Sequence, residues 1–452
     1  MIPLRLQEIA EALEATLVGD DLTIHSVTTD SRKLTPGCLF VALTGDKFDG
    51  HDFCAQVVAG GAGALLVSRR QPELACPQLL VEDTRYALGL LGRLVRERLH
   101  PKVLAITGSC GKTTVKEMCA AILAQRGEVL ATQGNLNNEI GVPLTLLRLT
   151  ADHRYAVMEL GANHPGEIAW TTSLARPHVA LINNVAAAHL EGFGSLHGVA
   201  MAKSEIFTGL PDKGMAIVNA DSEFFDYWQH DLPYLTSFGL TNPVADYQAR
   251  DIRLDALGRA SFTLVCPLGE VDIQLVLPGR HNVANALAAA AATQAFGLSL
   301  DEIAQGLVQM VPVKGRTCMT QLPGLTLIDD TYNASVQSVL AAIDLLAGLP
   351  GYRVLAFGDM GELGQDAASL HRQVGEHAKA RGLDAVLTVG PLSAHTAEAA
   401  GGRHFADKAS LCQALADLAE QQSQLTLLAK GARSSRMEEV VEFMKQLKER
   451  AC

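Results

Sequence analysis

The segment Gly108-Ser109-Cys110-Gly111-Lys112-Thr113-Thr114 places two glycines, a lysine and two threonines where an apolar run, Lys102 to Thr107, gives way to a helical pattern. Residues of these types in this order suit the phosphates of a nucleoside triphosphate and a Mg²⁺ ion. The glycines let the backbone turn tightly, so that its N–H groups and the helix N-terminus face phosphate oxygens. Lys112 adds a point charge, and the Thr113 hydroxyl can ligate Mg²⁺. The spacing is shorter than the ordinary G-x-x-x-x-G-K-[ST] loop, because Ile106 stands where that pattern has its first glycine. A chance turn with the same letters would lack the strand before it and the helix after it. Val115, Met118, Cys119, Ile122 and Leu123 recur on one helical face, and Gly127 is the expected stop.

A magnesium nucleotide site needs an acid close to Thr113. The apolar run Tyr155 to Leu160 sets Glu159 at the C-terminal end of a buried strand, where ligands of open α/β sheets gather. Ala186 to Gly194 sets His189 just after the next strand, where a neutral imidazole could reach a metal. Lys203 follows in a helical stretch. Taken singly, these three read as a solvated carboxylate, a loop histidine and a solvated lysine; the neighbouring phosphate loop is what gives them weight.

These residues need a frame, and the chain supplies one. Its 452 residues allow two or three domains, and 48% hydrophobic with 19% charged residues is an ordinary globular balance. Apolar strands alternate with helices from the phosphate loop onward, at Tyr155 to Leu160, Val179 to Asn183 and Met215 to Asn219, the rhythm of a parallel sheet. The Ala-rich stretch Ala284 to Ala292 reads as a small-residue helix packed on that sheet. After Gly315-Arg316 a second alternation begins, with strands at Leu325 to Asp329, Arg353 to Phe357, Ala385 to Val389 and Leu425 to Ala429, and a closing helix from Ser434. The fold class is therefore α/β with three units: residues 1–83, a central P-loop unit over 84–313, and a Rossmann-like unit over 314–452.

Composition also excludes. A net charge of −12 leaves no basic surface for a nucleic-acid backbone, although a local cationic cluster could receive an anionic substrate. Nine scattered cysteines without a C-x-x-C pair look like reduced thiols of a cytoplasmic protein. The N-terminus lacks the regions of a signal peptide, and no run of about 20 apolar residues could span a membrane.

Four segments, Gly108 to Thr114, Met158-Glu159-Leu160-Gly161-Ala162, Ala188-His189-Leu190-Glu191-Gly192 and Gly279-Arg280-His281-Asn282-Val283-Ala284-Asn285-Ala286, together resemble the ATP-dependent amino-acid ligases that build the peptidoglycan stem peptide. The likeness runs over nearly the whole chain. Thr29-Asp30-Ser31-Arg32, Gly37-Cys38-Leu39-Phe40 and Gly45 to His51 resemble the family's UDP-sugar segment, which implies contacts from Ser31, Arg32, Gly45 and Lys47. This is not the Rossmann-type start of the member that adds the first alanine. Asp329 to Ala334, Gly358 to Gly364 and Lys430 to Glu438 resemble the member that adds D-alanyl-D-alanine, and the D-N-P-R segment that grips diaminopimelate is absent.

The resemblance implies residue roles. Lys112 and the Gly108, Ser109, Cys110, Gly111, Thr113 and Thr114 backbone would hold ATP phosphates, with Thr113, Glu159 and His189 on Mg²⁺. Asn282 and Asn285 would meet the adenine edge; Arg316 and Asp330 would reach the nucleotide from the last domain. Their plain readings are a helix N-cap, a helix-face amide, a surface arginine and a turn former. Lys203 is the family's carbamylated position, a change that turns a cation into an oxygen-bearing anion suited to Mg²⁺. Asn135, Asn137 and Asn138 would face the UDP substrate, with a plain polar turn as the rival. Catalysis is expected from Lys112, His189, Lys203 and Arg316.

The implied partners are UDP-N-acetylmuramoyl-tripeptide and D-alanyl-D-alanine, joined through an acyl phosphate by a monomer, with Asp330, His189 or a phosphate oxygen as base. Lys314 replaces the family's usual proline before Gly-Arg, Ser335-Val336 replaces a common Asn-Pro, and Cys110 adds a thiol to the loop. Two alternatives share parts of this pattern: a folylpolyglutamate synthase, which lacks the UDP segment, and a nucleotide-switched protein that senses wall precursors without joining them.

Overall fold

The computed structural model describes residues 1–45, 47–186 and 190–450. Lys102–Thr107, the strand that leads into the phosphate loop, lies inside a six-stranded parallel sheet between Val179–Ile182 and His153–Glu159. The sheet continues outward through Met215–Asn219 and Leu235–Phe238 on one side and Glu128–Ala131 on the other. Because helices cover both faces, its inner strands are continuously apolar; Val103, Leu104, Ala105 and Ile106 are all fully buried.

On one face the helix Lys112–Leu123 packs beside the helix His281–Gln294. Val115, Met118, Cys119, Ile122 and Leu123 form its inward stripe, as the periodicity predicts. Ala286 and Ala288 to Ala292 are buried on the second helix, where small side chains let it approach closely. The first helix ends at Leu123 rather than running to Gly127; turns at Gln125 and Arg126 close it first.

The other face carries the helix Thr84–Leu99, whose start is capped by Asp83 accepting from the Arg85 and Tyr86 N–H groups at 2.7 and 3.1 Å. This helix also covers the N-terminal sheet, a five-stranded layer in the order Thr16–Val18, Gln78–Leu80, Ala64–Val67, Leu39–Val41, Val27–Thr28. Leu39, Val41, Leu66, Leu88, Leu91, Val103 and Met158 therefore belong to one continuous apolar cluster.

The C-terminal sheet has its own two clusters, one on each face. Its order is Cys318–Leu322, Leu325–Asp330, Leu425–Lys430, Tyr352–Gly358, Ala385–Val389, Arg403–Phe405, with only the first strand antiparallel. The edge strands Cys318–Leu322 and Arg403–Phe405 go beyond the strands expected from sequence; half-exposed edges carry a weak apolar signal. So does the three-stranded antiparallel sheet spanning Gln248–Leu254, Arg259–Cys266 and Gly269–Pro278. The closing helix begins at Glu438, not Ser434, because Arg433–Ser435 forms a 3₁₀ turn and Arg436 adopts φ +50°.

The helix Leu300–Gln309 braces the phosphate-loop helix from behind. A Cβ on Gly306 would stand 2.4 Å from Ile122 Cα, so the two backbones meet with no room for a methyl group. Gly306→Ala should therefore destabilise the protein by about 1–3 kcal/mol through overpacking. A thermal melt indistinguishable from the parent would contradict this close approach.

Candidate active site

The loop after Lys102–Thr107 turns at Gly111, whose φ of +76° suits glycine, and the helix Lys112–Leu123 starts immediately after it. Lys112 Nζ donates back to the Gly108 carbonyl at 2.7 Å, closing the loop on itself. Burial holds its ammonium below the usual lysine range, with Glu159 opposing that shift. Glu159 ends the neighbouring strand His153–Glu159, as expected. Its Oε2 accepts from the Thr113 hydroxyl at 2.9 Å and its Oε1 from Asn137 Nδ2 at 2.9 Å.

Thr113 is also the point where the C-terminal unit arrives. Arg316 Nη2 donates to Thr113 Oγ1 at 3.2 Å, while its guanidinium lies 4.0 Å from the centre of the Tyr332 ring. Among the described residues its Nε has no hydrogen-bond partner, leaving a buried donor beside the phosphate loop. Asp330 ends the strand Leu325–Asp330. Its carboxylate accepts from Thr317 N at 3.0 Å and pairs with buried Lys430 at 2.5 Å.

These groups line a cleft of about 1470 Å³ between the central and C-terminal units, together with Asn135, Asn138, Asn285, His281, Arg433 and Lys203. Lys203 sits in the helix Leu196–Ser204 and is 3% exposed. Burial, reinforced by the charge of Lys112, pushes its amine down to about 7.

The remaining expected site residues have surroundings of their own. Asn282 and Asn285 are buried and bonded to each other, Asn285 Nδ2 donating to Asn282 Oδ1 at 2.9 Å. Asn138 uses its Oδ1 to accept from the Gly141 N–H at 2.9 Å at the start of the helix Gly141–Leu146. Ser31, Arg32, Gly45 and Lys47 lie on loops of the N-terminal unit and do not line this cleft. Arg32 pairs with Asp30 at 2.8 Å. His189 lies outside the described residues.

Sequence reading gave no role to Asn183 and Asn184, which follow the strand Val179–Ile182. Asn184 Oδ1 accepts from the Ser109 and Cys110 N–H groups at 3.1 and 2.9 Å, and both asparagines donate to the Cys110 carbonyl. The signal was available, since the C-terminal ends of parallel strands are where ligands gather. Lys116 was also passed over. It is 2% exposed and donates to the Thr132 carbonyl at 2.6 Å, while Thr132 Oγ1 accepts from the Glu159 N–H.

A short phosphate loop on an inner strand of a parallel sheet, with a second α/β unit delivering an arginine to it, gives the layout of a multi-unit α/β phosphate-loop protein. Comparison with known proteins narrows the class. Family models described as the Mur ligase family catalytic domain, middle domain and glutamate ligase domain match residues 23–97, 106–293 and 315–433. The UDP-N-acetylmuramoyl-tripeptide–D-alanyl-D-alanine ligase of Escherichia coli is 54% identical over 99% of both chains, and that of Bacillus subtilis is 36% identical over 98% of both. The crystal structure of MurF from Acinetobacter baumannii matches with a TM-score of 0.94 at 38% identity over 99% of both chains. MurF of Thermotoga maritima, in complex with ADP, matches at 0.85 and 27% identity, over 94% of this chain and 98% of that one. The chain belongs to the Mur ligase family. A folylpolyglutamate synthase from Mycobacterium tuberculosis, 16% identical with a TM-score of 0.64 over 80% of this chain and 95% of that one, shares the fold alone.

The lowered basicity of Lys203 has a direct thermodynamic reading. Its folded amine gives up its proton near pH 7, whereas the unfolded amine keeps its proton up to its ordinary value of 10.5. Between those limits the unfolded chain binds more protons, so stability must rise with pH. In CO₂-free buffer, the unfolding free energy of the parent relative to Lys203→Met should climb between pH 7 and 9. The slope should approach ~1.4 kcal/mol per pH unit. A pH-independent difference would show that Lys203 is not buried as a neutral amine.

Proposed function

We propose that this chain joins D-alanyl-D-alanine to UDP-N-acetylmuramoyl-tripeptide at the expense of ATP, through an acyl-phosphate intermediate. The observation that carries the chemistry is the contact of Arg316 with Thr113. It brings a cation from the C-terminal unit to the residue that opens the phosphate-binding helix, across the cleft where two substrates must meet. The folylpolyglutamate alternative is disfavoured by the N-terminal unit, and the sensor alternative by full-length similarity to ligases.

Lys112 and the loop N–H groups hold the phosphates in line with the tripeptide carboxylate, and Arg316, whose Nε has no partner among the described residues, meets the charge that grows as the γ-phosphoryl group transfers. The tripeptide carboxylate oxygen bonds to phosphorus as the bond to ADP breaks. The neutral dipeptide amine then attacks the acyl carbon, phosphate leaves carrying the electron pair, and the amine's proton passes to a base, Asp330, His189 or a phosphate oxygen. Positioning two substrates and neutralising charge supply most of the rate, because phosphoryl transfer asks little covalent work of the protein. Asn135 and Asn137 face the UDP substrate from the central unit. Ser31, Arg32, Gly45 and Lys47 hold its nucleotide end on the N-terminal unit, outside the cleft.

The Thr113 hydroxyl and the Glu159 carboxylate, already 2.9 Å apart, form the hard-oxygen pair that Mg²⁺ uses beside phosphates and water. Mg²⁺ held there would supply charge neutralisation to the phosphates. Lys203, buried and partly deprotonated near pH 7, offers a free amine that can add to CO₂ with loss of one proton to solvent; the carbamate would then present oxygen to the cleft.

Phosphate release should require ATP, the UDP-tripeptide and the dipeptide together; release with any one omitted would reject the ligase. Lys112→Ala should lower turnover by ~10²-fold or more while the far-ultraviolet spectrum stays native. Lys203→Ala should lose most activity and regain part of it with a short carboxylic acid, and Lys203→Arg should stay inactive. Activity restored by arginine would make Lys203 a cation and end the carbamate reading.

A further inference from the structure

Behind the phosphate loop runs a row of buried amides for which the reaction above has no use. Asn183 Nδ2 donates to the Cys110 carbonyl at 3.0 Å and to Asn285 Oδ1 at 2.9 Å. Asn285 Nδ2 passes the row to Asn282 Oδ1 at 2.9 Å, and Asn282 Nδ2 ends it on the Pro278 carbonyl at 2.7 Å. An asparagine amide carries two donors, and Asn183 commits them to two different elements. Asn183 and Asn282 are each 2% exposed, so a partner lost from the row leaves a buried polar group unsatisfied.

The loop is seated directly on this row. A Cβ on Gly111 would stand 2.6 Å from Asn183 Nδ2 and 2.8 Å from Asn285 Oδ1, and one on Gly108 would stand 3.1 Å from Asn183 Cβ. Asn184 grips the same Cys110 peptide from the other side, accepting from its N–H at 2.9 Å and donating to its carbonyl at 2.9 Å. A turn containing two glycines has much conformational freedom to lose, and anion binding needs its N–H groups aimed beforehand. A fully satisfied amide network supplies that rigidity, whereas a half-satisfied one is worse than none.

We infer that Asn183 is a positioning residue that makes the shape of the phosphate loop depend on the helix His281–Gln294, with Asn285 as the link. Cutting the row at Asn183 removes a donor from Cys110 and strands Asn285 Oδ1. Cutting it at Asn285 removes one of the two acceptors that orient the Asn183 amide, and by hydrogen bonds it reaches the loop through Asn183. The inference rests on the loop being the phosphate site.

The Cys110 thiol, half-buried in the loop with Sγ 3.4 Å from Asn184 Oδ1, is a built-in reporter of loop order. The full-length protein is alkylated with iodoacetamide, Cys110 labelling is followed by mass spectrometry, and ADP affinity is measured by calorimetry. Asn183→Ala should raise the Cys110 labelling rate about tenfold and weaken ADP about tenfold, with circular dichroism unchanged. Asn285→Ala should raise labelling in the same direction, yet change it by less than about twofold in an Asn183→Ala background, because the row is already cut. Asn183→Leu, which keeps the approximate volume and loses both donors without adding charge, should behave as Asn183→Ala and serves in its place if the alanine variant misfolds. Unchanged Cys110 labelling in both Asn183 variants, or fully additive effects of positions 183 and 285, would overturn the inference. Parent protein that fails to bind ADP, while Asn183→Ala still loosens Cys110, would instead remove the phosphate reading and leave the coupling standing.

Discussion

The hydroxyl of Thr113 is the contact on which the site depends. It donates to Glu159 from the adjacent strand and accepts from Arg316 of the C-terminal unit, so one oxygen joins three parts of the chain. A hydroxyl can do this because it is donor and acceptor at once. Thr113 can stand there only because Gly111 turns sharply at φ +76° and lets the helix begin at the sheet edge. The sheet, the loop and the third unit are arranged around that atom.

The three units are not equivalent mechanically. The N-terminal and central sheets share one apolar cluster through the helix Thr84–Leu99, while the C-terminal sheet buries its faces in clusters of its own. Shared apolar burial is non-directional and adds up with area, so the first two units behave as a single support. The third reaches them through smaller separate contacts, Arg316 to Thr113 and Leu345 beside Gly258 among them. Contacts of that kind can form and break as substrates enter, which fits a reaction in which two substrates must be enclosed together.

The charge economy of the cleft is local. A chain with net charge −12 still gathers Lys112, Lys203, Arg316, Lys430 and Arg433 around one cavity for phosphates and carboxylates. Their surroundings make each of these a different instrument. Lys430 is neutralised by Asp330 at 2.5 Å, Lys112 leans on a backbone carbonyl, and Lys203 is pushed toward its neutral form. Desolvation penalises an ammonium unless a partner compensates, and the partners here differ.

Much of this was legible in the chain. The strand-loop-helix pattern at Lys102 to Leu123 and the placement of Glu159 at a strand end follow from local periodicity and glycine position, which depend on neighbours a few residues away. The α/β class follows from repetition of the same pattern. The two small edge strands and the antiparallel sheet from Gln248 to Pro278 escaped, because half-exposed strands lack a continuous apolar run. What only the tertiary structure decided is which polar groups face each other. Asn183 and Asn285 are far apart in sequence and Arg316 is farther still from Thr113, and nothing in their spacing says that they touch. Such contacts arise when packed helices and sheets fix distances that no local pattern encodes, so the chemistry of single residues was readable while their coupling was not.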